Sequence, residues 1–455
     1  MDSTISRVRH GLAYGWHSFR QFCRWVLLGI LAGVVVGVAG AVFHHLDELA
    51  AHTRMAHGWL LFLLPFAGLA IAGLYHICGI DNDRGTNFAL VAVRENKGMA
   101  LRTAPLIAAA TVLTHLTGGS SGREGAALQL GSSIASFIGR RLRLDEREAR
   151  IMTMCGMAAG FSALFGTPIA SAVFAMEVVS VGVMYYAALA PCMVAALTAQ
   201  QVALRLGGEA TCFVLPEVPA VSWQTLVSTL LLGCLIGMLA WVECIVMAAV
   251  HHRYHKLFPN HFLCAFVGGC AVIVVTLLLG TRDYNGAGMD VIRRATLGEA
   301  LPWAFLCKLL LTALTLGAGF KGGEIVPTFF IGATFGCTVG GLLGLPAGFA
   351  AALAMVGLFC GVTNSPLTSV LLAYELFGGE ALPLFALVCA VAYRLSGYES
   401  LYREQRIVYS KEVPILHSRE IQETEQQEHK PAERPHASEA AESGAAEAHT
   451  EAAAQ

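Results

Sequence analysis

Gly118-Gly119-Ser120-Ser121-Gly122-Arg123-Glu124-Gly125-Ala126-Ala127 sets a single acid in a glycine-crowded turn that follows the apolar stretch Ala104 to Leu116. An ionisable residue at membrane depth is costly, so it is a functional-site hypothesis by default. The rest of the chain establishes that depth. Of its 455 residues, 55% are hydrophobic and 14% charged, with a mean hydropathy of +0.60, which excludes an ordinary soluble enzyme. Apolar runs of roughly the 20 residues a bilayer requires recur at Val26 to Phe43, Trp59 to Leu74, Leu226 to Val250, Phe262 to Leu279 and Leu301 to Leu316. They do not alternate with polar residues, so they predict helices and not the strands of a barrel. Ala104 to Leu116 is too short to span comfortably and runs straight into the glycine turn. That pattern predicts a broken or re-entrant helix, tolerated where it lines a cavity within the protein.

Working outward, the N-terminus is basic, with Arg7, Arg9, Arg20 and Arg24 ahead of the first apolar run, which predicts a cytoplasmic N-terminus. A polar turn at Gly79 to Phe88 leads into a helix-forming segment, and the mixed-charge stretch Arg140 to Arg150 reads as a solvated connector. A net charge of −2 gives no reason to expect nucleic acid as a partner. The 13 cysteines are scattered without a C-x-x-C pair and read as small reduced hydrophobes. The pairs His44-His45 and His251-His252 lie near the ends of apolar runs and read as interfacial polar residues; no metal or cofactor is expected. After Pro414 the sequence becomes rich in Glu, Gln, Ala and Ser, which cannot bury a core.

The second half echoes the first. Pro168-Ile-Ala-Ser-Ala-Val-Phe-Ala-Met-Glu177 matches Pro366-Leu-Thr-Ser-Val-Leu-Leu-Ala-Tyr-Glu375 in Pro, Ser, Ala and Glu at the same offsets. Gly122-Arg123-Glu124-Gly125 is echoed by Gly322-Gly323-Glu324; Glu124 precedes Pro168 by 44 positions, and Glu324 precedes Pro366 by 42. Two copies about 200 residues apart predict a duplicated bundle of the kind secondary transporters use, either parallel or inverted. The expected divisions are a cytoplasmic segment at 1–22, a first transmembrane repeat at 23–210, a second at 211–410 and a disordered acidic cytoplasmic tail at 411–455.

A glycine turn that opens a helix presents unpaired N–H groups and the positive end of the dipole, which together favour an anion. A glutamate placed there is a tethered anion competing with a free one for those groups, and protonation ends the competition. Anion and proton movements are then linked through one side chain. The alternative role for Glu124, and likewise for Glu324, is an acid that only steadies the helix dipole. Glu177 and Glu375, at matched offsets after apolar runs, read as architectural groups that end helices or meet a partner.

These residues resemble the CLC family of anion channels and anion/proton exchangers over about Gly29 to Gln405. Gly122 to Gly125 is similar to the family's gating-glutamate motif, with Ala126 in place of the usual Pro. Gly323 to Pro327 is similar to its G-x-F-x-P, with Ile325 in place of Phe, and Ser400-Leu401-Tyr402 resembles the segment that supplies its inner-gate tyrosine. The resemblance implies an all-α polytopic membrane protein: a duplicated, inverted-repeat helical bundle with broken helices, assembled as a homodimer with a separate anion pathway in each subunit. Two departures stand out. The family's G-S-G-I-P is absent, with Arg84-Gly85-Thr86-Asn87-Phe88 in the corresponding region. Val178 follows Glu177 where chloride/proton exchangers carry a second glutamate that takes protons from the inside.

Both departures resemble the CLC-F subgroup, the bacterial fluoride/proton antiporters, as do Thr114 to Gly125 and Gly317 to Glu324. That resemblance implies a gate at Glu124 and a second coupling carboxylate at Glu324. It implies an anion pathway along Gly85, Thr86, Asn87 and Phe88, then Gly122, Arg123 and Gly125, then Gly323, Ile325, Val326, Phe330 and Tyr402. Val326 stands where the subgroup often has Thr. The expected function is fluoride export coupled to protons across the cytoplasmic membrane, with both termini cytoplasmic and lipid as surroundings; the alternative is a chloride channel or chloride/proton exchanger of the same fold. An intramembrane enzyme would need a convergent nucleophile or metal constellation, which the sequence does not contain. A receptor or scaffold would have to act through the tail, where no motif supports it.

Overall fold

Long apolar segments without internal helix breakers make helices, and the computed structural model, which describes residues 2–80, 85–95, 98–411 and 416–420, contains sixteen α-helices among them. The first half holds α1 (Asp2–Ala56), α2 (Leu64–Ile77), α3 (Thr86–Glu95), α4 (Thr103–Leu116), α5 (Glu124–Arg141), α6 (Glu146–Phe165), α7 (Pro168–Glu177) and α8 (Leu189–Arg205). The second holds α9 (Trp223–Leu257), α10 (His261–Leu279), α11 (Met289–Thr296), α12 (Ala304–Gly317), α13 (Ile325–Gly340), α14 (Ala347–Thr363), α15 (Pro366–Phe377) and α16 (Leu382–Leu395). The order of long and short helices repeats, and so does the packing. α1 packs on α4, α6 and α8, as α9 does on α12, α14 and α16; α5 packs on α6 as α13 does on α14. The duplication read from two short motifs therefore extends through every helix of each half.

Among the described residues, six stretches are long and apolar enough to cross a membrane, in α1, α8, α9, α10, α13 and the segment Gly58–Ile77. α1 turns Leu27, Leu31, Val34, Val38 and Val42 outward, and α9 does the same with Val227, Leu230, Leu231, Met238 and Trp241. Apolar surface of that extent suits lipid and not water. α14, by contrast, is buried along nearly its whole length. Inner helices approach closely because small residues line their contacts, as expected without a hydrophobic drive between helices in lipid: a Cβ on Gly131 of α5 would lie 2.0 Å from the carbonyl oxygen of Gly156 on α6.

The two halves are inverted. Along the contact between α2 and α10, Pro65 meets Gly269, Gly68 meets Ala265 and His76 meets Phe262, so the two equivalent helices run antiparallel. α7 and α15 show the same relation in their hydrogen bonds. Glu177, the last residue of α7, accepts from the N–H groups of Leu367 (3.0 Å) and Thr368 (2.8 Å) and from the Thr368 hydroxyl (2.6 Å). Glu375, near the end of α15, accepts from the N–H groups of Ile169 (2.8 Å) and Ala170 (2.9 Å). Each acid closes the other helix's open N-terminus, which is the physical reason that both copies begin with Pro and reach Glu nine positions later.

Sequence and structure differ in three places. The mixed-charge connector is mostly helix: α5 runs to Arg141, and Asp145 caps α6 by accepting from the N–H of Glu148. The chain is not wholly helical, because β1 (Ser180–Val181), β2 (Arg406–Tyr409) and β3 (Leu416–Glu420) form a small sheet in that order. Arg-Ile-Val-Tyr favours extended backbone, and its parallel pairing with β1 ties the end of the second half to the first. β3 falls within the stretch expected to be a tail, while residues 412–415 and 421–455 lie outside the described residues, as does Arg84. Glu177→Ala leaves three donors unmatched and is expected to destabilise the protein by about 3 kcal/mol, more than Glu375→Ala, which is half-buried with two bonds. Thermal unfolding in detergent measures this; a Glu177→Ala protein that melts with the parent would contradict the reciprocal capping.

Candidate functional site: two helix starts back to back

Two backbone hydrogen bonds join the glycine turns. The N–H of Gly122 donates to the carbonyl of Gly323 at 2.7 Å, and the N–H of Gly323 donates to that of Gly122 at 2.7 Å, an isolated antiparallel bridge at the pseudo-twofold. The approach requires glycine: a Cβ on Gly323 would stand 2.6 Å from the nitrogen of Gly125, and one on Gly322 would stand 2.3 Å from the Ser121 hydroxyl. The bridge sets the starts of α5 and α13 against each other, with Glu124 the first residue of α5 and Glu324 the residue that caps α13. Ile325 and Val326 are buried beside them, Val326 against Gly122. α3 joins from the side, where Thr86 reaches Gly125.

Glu124 is 2% exposed, and its Oε2 accepts from the N–H of Arg123 at 3.0 Å, so the carboxylate lies back on the open donors of its own helix start. Glu324 is buried with Oε2 unpartnered, and it is close enough to Glu124 for their charges to interact. Tyr402 is 1% exposed, its hydroxyl has no hydrogen-bond partner among the described residues, and both glutamates lie within electrostatic reach of it. A cavity of about 1200 Å³ leads to this place. Gly85, Thr86, Asn87, Gln129 and Glu324 line it, as do Gly319 to Gly322 and His251, whereas Glu124, Ser121 and Tyr402 lie off its wall. Asn87 is held there by accepting from the N–H of Glu404 at 3.2 Å.

Beyond Glu124 the structure is packed and polar. Ser120 is fully buried; its N–H donates to Thr315 Oγ1 at 3.0 Å and its hydroxyl to the Tyr284 carbonyl at 2.9 Å. Lys308 is fully buried, donating to the carbonyls of Tyr284 (3.1 Å) and Gly286 (2.6 Å) with its ammonium 5.2 Å from the Phe330 ring centre. Phe330 therefore belongs to this packed side and not to the cavity. A second network steadies the turn: His115 Nδ1 lies 2.5 Å from Asp47 Oδ1, and its Nε2 lies 3.1 Å from Ser121 Oγ. Arg123 donates to His44 Nδ1 at 2.8 Å and stands 3.7 Å from Asp47.

The structure thus gathers Gly122, Arg123, Glu124, Gly125, Gly323, Glu324, Ile325 and Val326 into one contact, with Gly85, Thr86 and Asn87 at the adjoining cavity and Tyr402 close by. It does not bring Phe88 there. Phe88 lines a separate recess of about 460 Å³ with Gly79, Ile80, Gly98 and Thr103. Sequence reasoning overlooked Asp47, just past the first apolar run, and Glu243 and Lys308, each an ionisable residue within an apolar segment, the signal that marked Glu124. It also gave no role to His115 or Gln129.

The voltage gated chloride channel family matches the chain over residues 81–397. A protein of Pseudomonas syringae pv. tomato described as a chloride/fluoride channel protein is 36% identical over 399 residues, which cover 85% of this chain and 87% of that one. The chain belongs to the voltage gated chloride channel (CLC) family. Among solved CLC structures, a CLC-type fluoride/proton antiporter superposes with a TM-score of 0.82 at 33% identity, covering 85% of this chain and 98% of its own. A slow cyanobacterial Cl⁻/H⁺ antiporter shares the fold, with a TM-score of 0.70 at 20% identity over 82% of this chain and 94% of its own. As a CLC protein it is an ion channel or transporter of the membrane.

The bridge yields a direct test. Gly323→Ala is expected to abolish anion flux and reduce the folded yield, because backbone atoms stand where the methyl would go, whereas Gly73→Ala, whose Cβ would come no nearer than 3.8 Å to Phe262, is expected to leave both intact. Flux from reconstituted vesicles and monodispersity on size exclusion measure the two effects; an active Gly323→Ala protein would show that the helix starts need not touch.

Proposed function

We propose that this CLC protein exports fluoride from the cytoplasm in exchange for protons, as a homodimer in the cytoplasmic membrane with a separate pathway in each subunit and both termini cytoplasmic. The observation that carries the reading is the Glu124 carboxylate lying on the N–H of its own helix start. It is an anion held by a tether in a site suited to a free one. Ionised, it fills the site; displaced or protonated, it gives the donors up. Fluoride, the smallest halide and the strongest hydrogen-bond acceptor among them, competes best for such donors, and the Tyr402 hydroxyl supplies one more that no protein group uses.

Glu324 is the second coupling carboxylate in this reading. It lines the cavity, one of its oxygens is unpartnered, and its charge acts on Glu124. A proton leaving Glu124 thus has an acceptor on the inner side, a role that the side chain of Val178 has no group to perform. The names of two similar proteins, a chloride/fluoride channel protein and a CLC-type fluoride/proton antiporter, support fluoride as the cargo. The likeness to a Cl⁻/H⁺ antiporter supports the fold alone.

Vesicles loaded with fluoride or with chloride are the test. Fluoride is expected to leave faster than chloride, and equal rates would make chloride the second substrate and sink the selectivity. Glu324→Gln removes the acceptor and is expected to slow fluoride turnover by about a hundredfold, the lower range of what one positioned proton-transfer group contributes. A Glu324→Gln protein with parental turnover would return Glu324 to the role of a helix-dipole acid.

A further inference from the structure

α9 carries a third carboxyl group across the same helix start. Glu243 sits within the apolar stretch Leu226 to Val250, is 2% exposed, and takes no part in the site described above. Its Oε1 accepts from the hydroxyl of Thr328 at 2.6 Å. Thr328 lies one turn beyond Glu324 on α13, and its N–H donates to the Glu324 carbonyl at 3.0 Å, so Glu324 and Thr328 share a face of that helix. Glu243 Oε2 is buried without a partner, as is Glu324 Oε2. The charged group whose field reaches Glu243 is Glu324 itself, and the one hydrogen-bond donor to its side chain, among the described residues, is Thr328. Glu243 lies off the wall of the 1200 Å³ cavity, although its neighbour Cys244 and Met247, one turn on, are on it.

A carboxylate in such surroundings, with no cation bonded to it, is hard to account for as a structural group, because a buried charge without a partner is costly and an apolar residue would pack as well. A buried carboxyl that exchanges a proton with a neighbour fits better, since Thr328, which bonds Glu243, follows Glu324 by one turn, and two buried carboxyls that feel each other's charge share a proton more readily than both ionise. We propose that Glu243 is a proton-binding residue of the transport cycle, taking the proton from Glu324, one turn of α13 before its partner Thr328, while the anion occupies the cavity. In that step the O–H bond on the Glu324 carboxyl breaks and one forms on Glu243. Glu324 becomes the carboxylate and Glu243 becomes neutral; once the anion has left, the proton returns to Glu324, which lines the cavity and passes it to water there. The proton is thereby held off the path of the anion, which Glu324 alone cannot do because it lines that path.

The inference rests on proton-coupled fluoride export, and the experiment separates the two. Fluoride and proton fluxes are recorded together from vesicles holding the parent protein, Glu243→Gln and Glu243→Asp. Gln keeps the shape and the bond from Thr328 but cannot relay a proton. It is expected to lower both fluxes by about a hundredfold with fluoride binding by calorimetry and the melting temperature unchanged, while Glu243→Asp, which keeps the carboxyl, is expected to recover most of the loss. Parental fluxes in Glu243→Gln would overturn the role of Glu243 and leave the export reading standing. A parent protein whose fluoride flux moves no protons would overturn both. If Glu243→Gln does not fold, Glu243→Asp and Glu243→Asn, alike in size, are compared instead: a deficit confined to Asn supports proton binding, and equal fluxes in the two contradict it.

Discussion

Two backbone hydrogen bonds of 2.7 Å between Gly122 and Gly323 hold the rest of the site in place. They join the two halves where the chain has no side chains to keep them apart, and they do so about the pseudo-twofold that relates those halves. Glu124 and Glu324 lie within two residues of that bridge. α5 and α13 start on either side of it, so the positive ends of two helix dipoles and two sets of open N–H groups meet at one place. In lipid, such open donors are tolerated only within a protein that satisfies or uses them. Here one of them is met by the Glu124 carboxylate.

The same geometry explains why so many ionisable groups lie inside the bundle. Glu124, Glu243 and Glu324 would be ruinous in an apolar interior without compensating groups, and each has a recognisable one: a helix-start N–H, the hydroxyl of Thr328, and the start of α13. On the far side, Lys308 is held by two carbonyls, and Asp47, His115 and Ser121 form a chain that fixes the glycine turn from behind. Rigid support around the carboxylate suits the gate proposed for Glu124, in which the turn stays while one side chain leaves it. The reciprocal pairing of Glu177 and Glu375 supplies rigidity by the same device, a carboxylate on the other half's helix start.

Much of this was legible in the sequence, because helix starts and duplication leave local marks. Glycine before an acid before an apolar run identifies an open helix start, and Pro168 to Glu177 set beside Pro366 to Glu375 reveals the second copy. The residue pattern alone left the hand of the repeat open; the family resemblance implied inversion, and α2 set against α10 bears it out. The partners of the acids were not legible, since they lie far along the chain: Asp47 is 68 residues from His115, and Glu243 is 85 from Thr328. Phe88 was drawn to the pathway by its place in a motif, yet α3 turns it into a separate recess, while Thr86 and Asn87 two and one residues earlier meet the cavity. The small sheet escaped notice because strands of two to five residues carry little pattern.

The central claim is that one carboxylate, Glu124, serves anion and proton in turn. It is tested most directly by setting an outward fluoride gradient across vesicles with no proton gradient and recording pH. Exchange through a shared carboxylate predicts that the parent protein drives protons uphill as fluoride leaves, and that Glu124→Gln lets fluoride pass, if at all, without moving protons. Fluoride leaving the parent with no proton movement, or proton pumping that survives Glu124→Gln, would contradict it.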